Sequence, residues 1–281
     1  MEVYRAKTAG FCMGVSLALQ KLDAALLEKG SSRICTLGPI IHNPQVLRDY
    51  EEKGVACLDE NAQLHAKDVV VIRAHGISRS MEEEIRRHGA HIVDATCPKV
   101  KKAQLAIAKA TLAGATLLLF GEAEHPEVRG LVSYAQGTTH VFASREELEA
   151  LPLQPQKPYV LASQTTQDQN LFDAFESRLH TKIAQLTVLS TICDATCKRQ
   201  EEARDIASKV DIMVVIGGRQ SGNTRRLADI AALSGIETHH VECVQELEAK
   251  KFFQKRCAGL TAGASTPKKL IDAAHAWLLS L

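Results

Sequence analysis

The sequence predicts an α/β protein, a pseudo-threefold trefoil of three small α/β lobes around a central cavity, and three observations predict it. Short β-rich runs alternate with helical stretches from one end to the other, the pattern of helices packed on parallel sheets. Nine such runs end in polar, glycine-punctuated tips. Every third tip, counted from the first, carries a cysteine with a helical stretch behind it, and these residues, Cys12, Cys97 and Cys193, stand 85 and 96 positions apart. Ligands of open parallel sheets collect beyond the carboxyl ends of the strands. Three such units facing one axis aim three thiols and six polar tips into one cavity. The lobes expected are 13–96, 97–192, and 193–281 together with 1–12. Residue identity between them is negligible, so the repeat is one of spacing and chemistry.

In the first set, the run at 3–6 leads to Gly10-Phe11-Cys12, that at 33–37 to Gly38-Pro39-Ile40-Ile41-His42-Asn43-Pro44, and that at 69–73 to Ala74-His75-Gly76. In the second, 91–93 leads to Asp94-Ala95-Thr96-Cys97-Pro98, 116–120 to Gly121-Glu122-Ala123-Glu124-His125-Pro126-Glu127, and 159–162 to Ser163-Gln164-Thr165-Thr166. In the third, 185–189 leads to Ser190-Thr191-Ile192-Cys193, 212–216 to Gly217-Gly218-Arg219-Gln220-Ser221-Gly222-Asn223-Thr224, and 259–261 to Ala262-Gly263-Ala264-Ser265-Thr266. Behind Cys12, Val15, Leu19, Leu22 and Leu26 keep helical spacing until Gly30. Behind Cys97, Pro98 suits a first helical position, and Val100, Ala103, Ile107 and Ala110 repeat the stripe. Ala203, Ile206 and Val210 do so behind Cys193. A thiol at a helix N-terminus sees unpaired backbone N–H groups, which favour the thiolate and a negatively charged inorganic cluster.

Composition narrows the function. The 281 residues are 45% apolar and 24% charged, a globular balance, and the length alone predicts about two compact units, with three smaller ones open. Thirty-four basic against 33 acidic residues leave a net charge of +1, without the basic field that binds nucleic acid or an anionic membrane. Met1-Glu2-Val3-Tyr4-Arg5 lacks the features of a signal peptide, and no apolar run approaches the ~18 residues of a membrane span, so a cytoplasmic setting is expected. There, eight cysteines are not expected to form disulfides. No pair has the C-x2-C spacing, so a cysteine metal site must be assembled from distant segments. Neither a Walker A sequence nor a G-x-G-x-x-G follows the first strand, against a nucleotide-binding enzyme.

Two residues compete as the third cysteine, because Asp194-Ala195-Thr196-Cys197 repeats Asp94-Ala95-Thr96-Cys97. Register favours Cys193. It stands four residues beyond the apolar run ending at Leu189, as Cys97 does beyond the run ending at Val93, whereas Cys197 lies a full turn into the following helix. Cys35, Cys57, Cys243 and Cys257 lie in or beside ordinary apolar runs and read as buried structural thiols.

Taken together and in order, the nine tips closely resemble the hydroxymethylbutenyl diphosphate reductases, the LytB family, collinearly from residue 10 to about 270. The resemblance implies a [4Fe–4S] cluster, one per chain, held by Cys12, Cys97 and Cys193, with one iron lacking a protein ligand. It also implies a two-electron, two-proton removal of the allylic hydroxyl of (E)-4-hydroxy-3-methylbut-2-enyl diphosphate, giving isopentenyl and dimethylallyl diphosphates. Ferredoxin or flavodoxin is the electron donor expected of such a family. Relatives commonly carry a basic residue where Ser16 stands here.

The residues suit that chemistry on their own terms. Hydroxide is a poor leaving group, and Glu127, two residues after His125, is the best-placed acid to protonate it. Thr165 is expected near the reacting hydroxyl. His42, His75 and His125, on consecutive cysteine-free tips, can give a diphosphate charge-assisted hydrogen bonds. Ser221, Gly222, Asn223 and Ser265 lie on turns that bring backbone N–H groups to an anion. Rival readings are a saturated iron–sulfur sensor or electron carrier, which needs a fourth ligand and leaves the Ser, Thr and Asn tips unexplained, and a zinc Cys3His site.

Overall fold

The computed structural model describes residues 1–28, 30–59 and 61–281. Strands and helices alternate in the order β1 (Glu2–Arg5), α1 (Met13–Glu28), β2 (Ile34–Leu37), α2 (Pro44–Glu52), β3 (Val55–Leu58), β4 (Val69–Ile72), α3 (Arg79–Arg87), β5 (His91–Asp94) and α4 (Pro98–Thr111). They continue with β6 (Thr116–Phe120), α5 (Pro126–Val132), β7 (Thr139–Phe142), α6 (Arg145–Ala150), β8 (Pro158–Ser163), α7 (Gln169–His180), β9 (Gln185–Val188) and α8 (Asp194–Ala207). β10 (Ile212–Ile216), α9 (Gly222–Leu233), β11 (Glu237–Val241), β12 (Cys257–Ala262) and α10 (Lys268–Leu279) complete the chain. Among the described residues no helix is long and apolar enough to cross a membrane.

Among the described residues all pairings are parallel, and the strands form three four-stranded sheets: β3-β2-β4-β5, β7-β6-β8-β9 and β1-β12-β10-β11. Each has the same plan. The strand first in chain order lies second in the sheet, its successor forms one edge, and the other two follow on the opposite side. In the third sheet the last place is filled by β1 from the start of the chain. The protein is thus α/β with three parallel-sheet lobes, as expected. The expectation named nine strands. The other three, β3, β7 and β11, are one edge strand of each sheet.

The chain divides into two compact units, one of Met1–Ser16, Ile41–Lys53 and Asp194–Leu281, the other of Leu17–Ile40 and Gly54–Cys193. In the first, the inner strand β10, Ile-Met-Val-Val-Ile, is fully buried. Ile212, Val214 and Ile216 pack with Ile271, Ala274 and Leu278, while Met213 and Val215 pack on the other face with Ala203, Ile206, Leu227 and Ala231. Helices on both faces are why an inner parallel strand reads as an unbroken apolar run. In the second unit, Leu117, Leu119, Val160 and Ala162 meet Ala103, Ile107, Val128 and Leu131, and Cys35, Leu37, Val70 and Ile72 meet Leu64, Ile77 and Ile85.

The reading of four buried structural thiols needs correction. Cys35, inside β2, is buried, and burial pushes its thiol up to about 11. Cys57 is exposed, and Cys243 and Cys257 are half-buried. Cys57 lies on β3, where the outward-facing side of an edge strand meets water.

The second unit also contains an ion pair at the start of β4, its carboxylate buried and its guanidinium exposed. Asp68 accepts from Arg33 Nη2 at 2.5 Å and Nε at 3.0 Å, and from the His65 amide at 2.9 Å. The Arg33 hydrogen bond outweighs burial and holds the Asp68 carboxyl below the usual carboxylate range. A carboxylate with a depressed pKa stabilises the fold above its unfolded-state value, and that contribution is lost as pH falls through the folded one. Asp68→Asn is therefore expected to lower the urea midpoint at pH 7, with the gap to wild type closing as the pH drops below about 4. A gap that stays constant down to pH 2 would contradict this assignment.

Candidate functional site

The site begins with how the sheets end. Each cysteine reached from the fourth strand of its sheet is the residue immediately before a helix: Cys12 before α1, Cys97 before α4, Cys193 before α8. Its amide donates to a carbonyl on the tip of the neighbouring strand: Cys12 to Ala264 at 3.1 Å, Cys97 to Ala74 at 2.9 Å and Cys193 to Thr165 at 2.9 Å. All three acceptors stand two residues past the end of their strands, β12, β4 and β8. Cys197 has no such place; it sits inside α8, one turn on. All eight cysteines are thiols, and Cys12, Cys97 and Cys193 are half-buried. The Val15 amide, in the first turn of α1, points at Cys12 Sγ, 3.5 Å away.

A second repeat sets the first tip of each sheet. The amides of Gly38, Gly121 and Gly217 donate to the last residues of the edge strands, Leu58, Phe142 and Val241, at 2.7, 2.9 and 2.9 Å. A helix follows, capped by Asn43 before Pro44, His125 before Pro126, and Ser221 before Gly222.

In the second unit the candidate acid is built in. Glu127 is 2% exposed, and its two carboxylate oxygens accept from the Thr165 amide at 2.6 Å and the Thr165 hydroxyl at 3.1 Å. Its own amide donates to His125 Nδ1 at 3.1 Å. His125 therefore carries its proton on Nε2, and its ring meets that of His75 edge to face with centroids 5.4 Å apart. Because the Thr165 carbonyl takes the Cys193 amide, acid, hydroxyl and cysteine form one continuous hydrogen-bonded chain. Thr191 braces it, accepting from the Ser163 amide and donating to the Ser163 carbonyl, both at 2.7 Å.

In the first unit, Ser265 Oγ donates to the His42 carbonyl at 3.2 Å, one residue past the acceptor of the Cys12 amide. A Cβ at Gly218 would come within 2.5 Å of that same His42 carbonyl, so only glycine lets the two tips approach. Ser221 Oγ accepts from the Thr224 amide at 3.4 Å, and Gly222 and Asn223 form the first turn of α9. Asn223 is 7% exposed, and its Nδ2 is a buried donor with no hydrogen-bond acceptor among the described residues. A buried unpaired donor beside the first-turn amides of a helix is a donor set chemically suited to an anion.

Cys97, Cys193, His75, His125, Glu127 and Thr165 thus lie in the second unit, and Cys12, His42, Ser221, Gly222, Asn223 and Ser265 in the first. The sequence reading missed three contributors. Thr191 lies on a tip, and its bracing role carries no sequence signal. Asn43 caps α2 by accepting from the Val46 amide at 3.1 Å, and Asn-Pro at a helix start was its signal. Arg199, buried in α8, gave none.

Comparison with known proteins shows the family. The LytB protein family model matches residues 3–279. A protein of Desulfovibrio desulfuricans named 4-hydroxy-3-methylbut-2-enyl diphosphate reductase is 66% identical over the full length of both chains. One of Nitratidesulfovibrio vulgaris with the same name is 57% identical, again over both full lengths. A solved structure of (E)-4-hydroxy-3-methyl-but-2-enyl diphosphate reductase, described as the terminal enzyme of the non-mevalonate pathway, superposes with a TM-score of 0.70 at 36% identity, covering both chains fully. The Plasmodium falciparum E-1-hydroxy-2-methyl-but-2-enyl-4-diphosphate reductase matches at a TM-score of 0.94 and 24% identity, over 100% of this chain and 88% of that one, a likeness of fold.

Proposed function

Because the chain belongs to the LytB protein family, we propose that it is the reductase that removes the allylic hydroxyl of (E)-4-hydroxy-3-methylbut-2-enyl diphosphate, the last step of the methylerythritol phosphate, or non-mevalonate, route to isoprenoids. Two electrons and two protons are consumed. The C–O bond breaks, the oxygen leaves as water with one proton, and the other proton goes to one end of the allylic carbons, which decides between isopentenyl and dimethylallyl diphosphate. The observation that carries this reading is the buried chain from Glu127 through Thr165 to Cys193.

The donor set fits an iron–sulfur group: three half-buried thiols, each directly before a helix and each held by its amide in the same way. Cys12, Cys97 and Cys193 would hold a [4Fe–4S] cluster, one per chain, with one iron lacking a protein ligand. When bound, that group supplies the electrons and an electron-poor iron that weakens the C–O bond. We take ferredoxin or flavodoxin as the electron donor, the cytoplasm as the compartment, and 13–96, 97–192, and 193–281 with 1–12 as the lobes.

The chain's own residues handle the proton and the diphosphate. With Glu127 ionised, the Thr165 hydroxyl is committed to it and presents only lone pairs outward. Once Glu127 is protonated, the Thr165 hydroxyl is released to donate to the leaving oxygen, so the pair relays a proton without exposing the acid to water. His125, His75 and His42 offer ring N–H groups, with His125 Nε2–H oriented by the Glu127 amide on its other nitrogen. Ser221, Gly222 and Asn223 offer the first turn of α9, and Ser265 exchanges the His42 carbonyl for a phosphate oxygen by turning its hydroxyl.

Turnover of the diphosphate by anaerobically reconstituted chain with a reduced dye tests the whole reading: both products are expected, and loaded protein that makes neither overturns it. Glu127→Gln is expected to bind substrate normally and turn it over about 10²-fold more slowly; near-normal turnover assigns the proton to another donor. Cys193→Ser should lose bound iron and sulfide while Cys197→Ser keeps them, and the reverse would make Cys197 the ligand. Isothermal titration of His42→Phe should show weaker diphosphate affinity; an unchanged value removes His42 from the site.

A further inference from the structure

Three cysteine-bearing loops have to be held still in the centre proposed above, and α8 grips the first of them. Arg199 is 5% exposed, and its Nη2 donates at 2.6 Å to the carbonyl of Gly10, two residues before Cys12. Its Nη1 reaches the Ala195 carbonyl at 3.3 Å, which fixes the guanidinium to its own helix. Gly10 has φ +109°, a backbone that L side chains rarely adopt, and this conformation fixes how its peptide is presented to Arg199. Just beyond on the same helix, Glu202 accepts from the Lys7 amide at 2.8 Å, the Thr8 amide at 2.9 Å and the Thr8 hydroxyl at 2.5 Å. Burial pushes the Glu202 carboxyl up, but the Thr8 and Lys7 donors outweigh it and hold it below the usual range, so it stays anionic. One helix thus holds both ends of the segment 7–10.

The second unit uses a similar device. Lys21, on the helix that follows Cys12, donates at 2.5 Å to the carbonyl of Asp94, three residues before Cys97. The Asp94 carboxylate accepts from the Thr96 amide at 2.9 Å and from Lys101 at 3.2 Å. In both places a cation on the helix behind one cysteine holds a carbonyl just ahead of another. A neutral donor could anchor a carbonyl equally well. A guanidinium adds a full positive charge behind Cys12, where a thiolate-held group becomes more negative with each electron it accepts.

We propose that Arg199 is a positioning residue for Cys12: through the Gly10 carbonyl it fixes the thiol, and through its charge it favours the reduced state of the group held there. The second half rests on the iron–sulfur reading, and the first stands on the polypeptide alone. Three measurements, one on metal-free and two on loaded chain, test them separately. In metal-free chain, hydrogen exchange of the Cys12 amide, which donates to Ala264 at 3.1 Å, reports how firmly the loop is held. In anaerobically reconstituted chain, chelator release of iron and the midpoint potential report the charge. Arg199→Gln is expected to speed exchange at residues 9–13 about tenfold, to hasten iron release and to lower the potential. Arg199→Lys, which keeps the charge and loses the fork, should exchange faster than wild type yet return most of the potential. Glu201→Gln, on the exposed side of α8, should match wild type throughout. Wild-type exchange and potential in Arg199→Gln overturn the proposal. If circular dichroism shows that variant unfolded, Arg199→Lys decides, and wild-type exchange in it overturns positioning. A wild-type chain that takes up no iron and sulfide removes the proposed function and the charge effect together, while the exchange measurement still decides whether Arg199 positions Cys12.

Discussion

Three backbone hydrogen bonds, from the amides of Cys12, Cys97 and Cys193 to carbonyls two residues past the ends of β12, β4 and β8, fix where each of these thiols stands on its own sheet. Each extends a parallel ladder beyond its strand, so the cysteine arrives at a set height and the helix behind it starts at once. Energetically each is ordinary, about 1 kcal/mol net. Their worth is geometric. A register slip of one residue would turn every side chain on the tip to the other face, and with it Thr165, whose amide and hydroxyl hold Glu127. The cysteine amides being spent on the sheet, the amides that follow in the first helical turn are the ones left facing the sulfur, as Val15 faces Cys12.

Inner strands were legible because burial on both faces makes them unbroken apolar runs: β6 and β10 match their expected limits residue for residue. The three strands that escaped notice are half-exposed edges. β11, Glu-Thr-His-His-Val, and β7, Thr-His-Val-Phe, mix polar with apolar residues as an edge must, and β3 carries the exposed Cys57. The site was legible as a list of tips, since polar residues after an apolar run survive any error in strand limits. Its wiring was not. The bonds from Glu127 to Thr165 and from Thr165 to Cys193 join residues 38 and 28 positions apart, and no local pattern encodes them. Arg199 escaped for the same reason, since its partner Gly10 is 189 positions away.

The two Asp-Ala-Thr-Cys segments show how far context outranks local sequence. Asp94 ends β5, so the tetrapeptide spans the gap and Cys97 becomes the residue before α4. Asp194 opens α8, because Cys193 already occupies that place, and the same four residues wind into a helix with Cys197 one turn inside. Identical letters give a thiol directly before a helix in one lobe and a thiol inside a helix in another. Membership of the LytB family accounts for the tips, while the threefold pattern of amide-to-carbonyl bonds explains why lobes without residue identity can present equivalent groups.

The most direct trial is chemical analysis and an absorption spectrum of anaerobically purified chain, recorded with and without the substrate diphosphate. Iron and acid-labile sulfide in equal amounts, with a sulfur-to-iron band that changes on adding the diphosphate, is the expected result. Zinc without sulfide, or an iron spectrum indifferent to the diphosphate, would mean that the three thiols serve some other end.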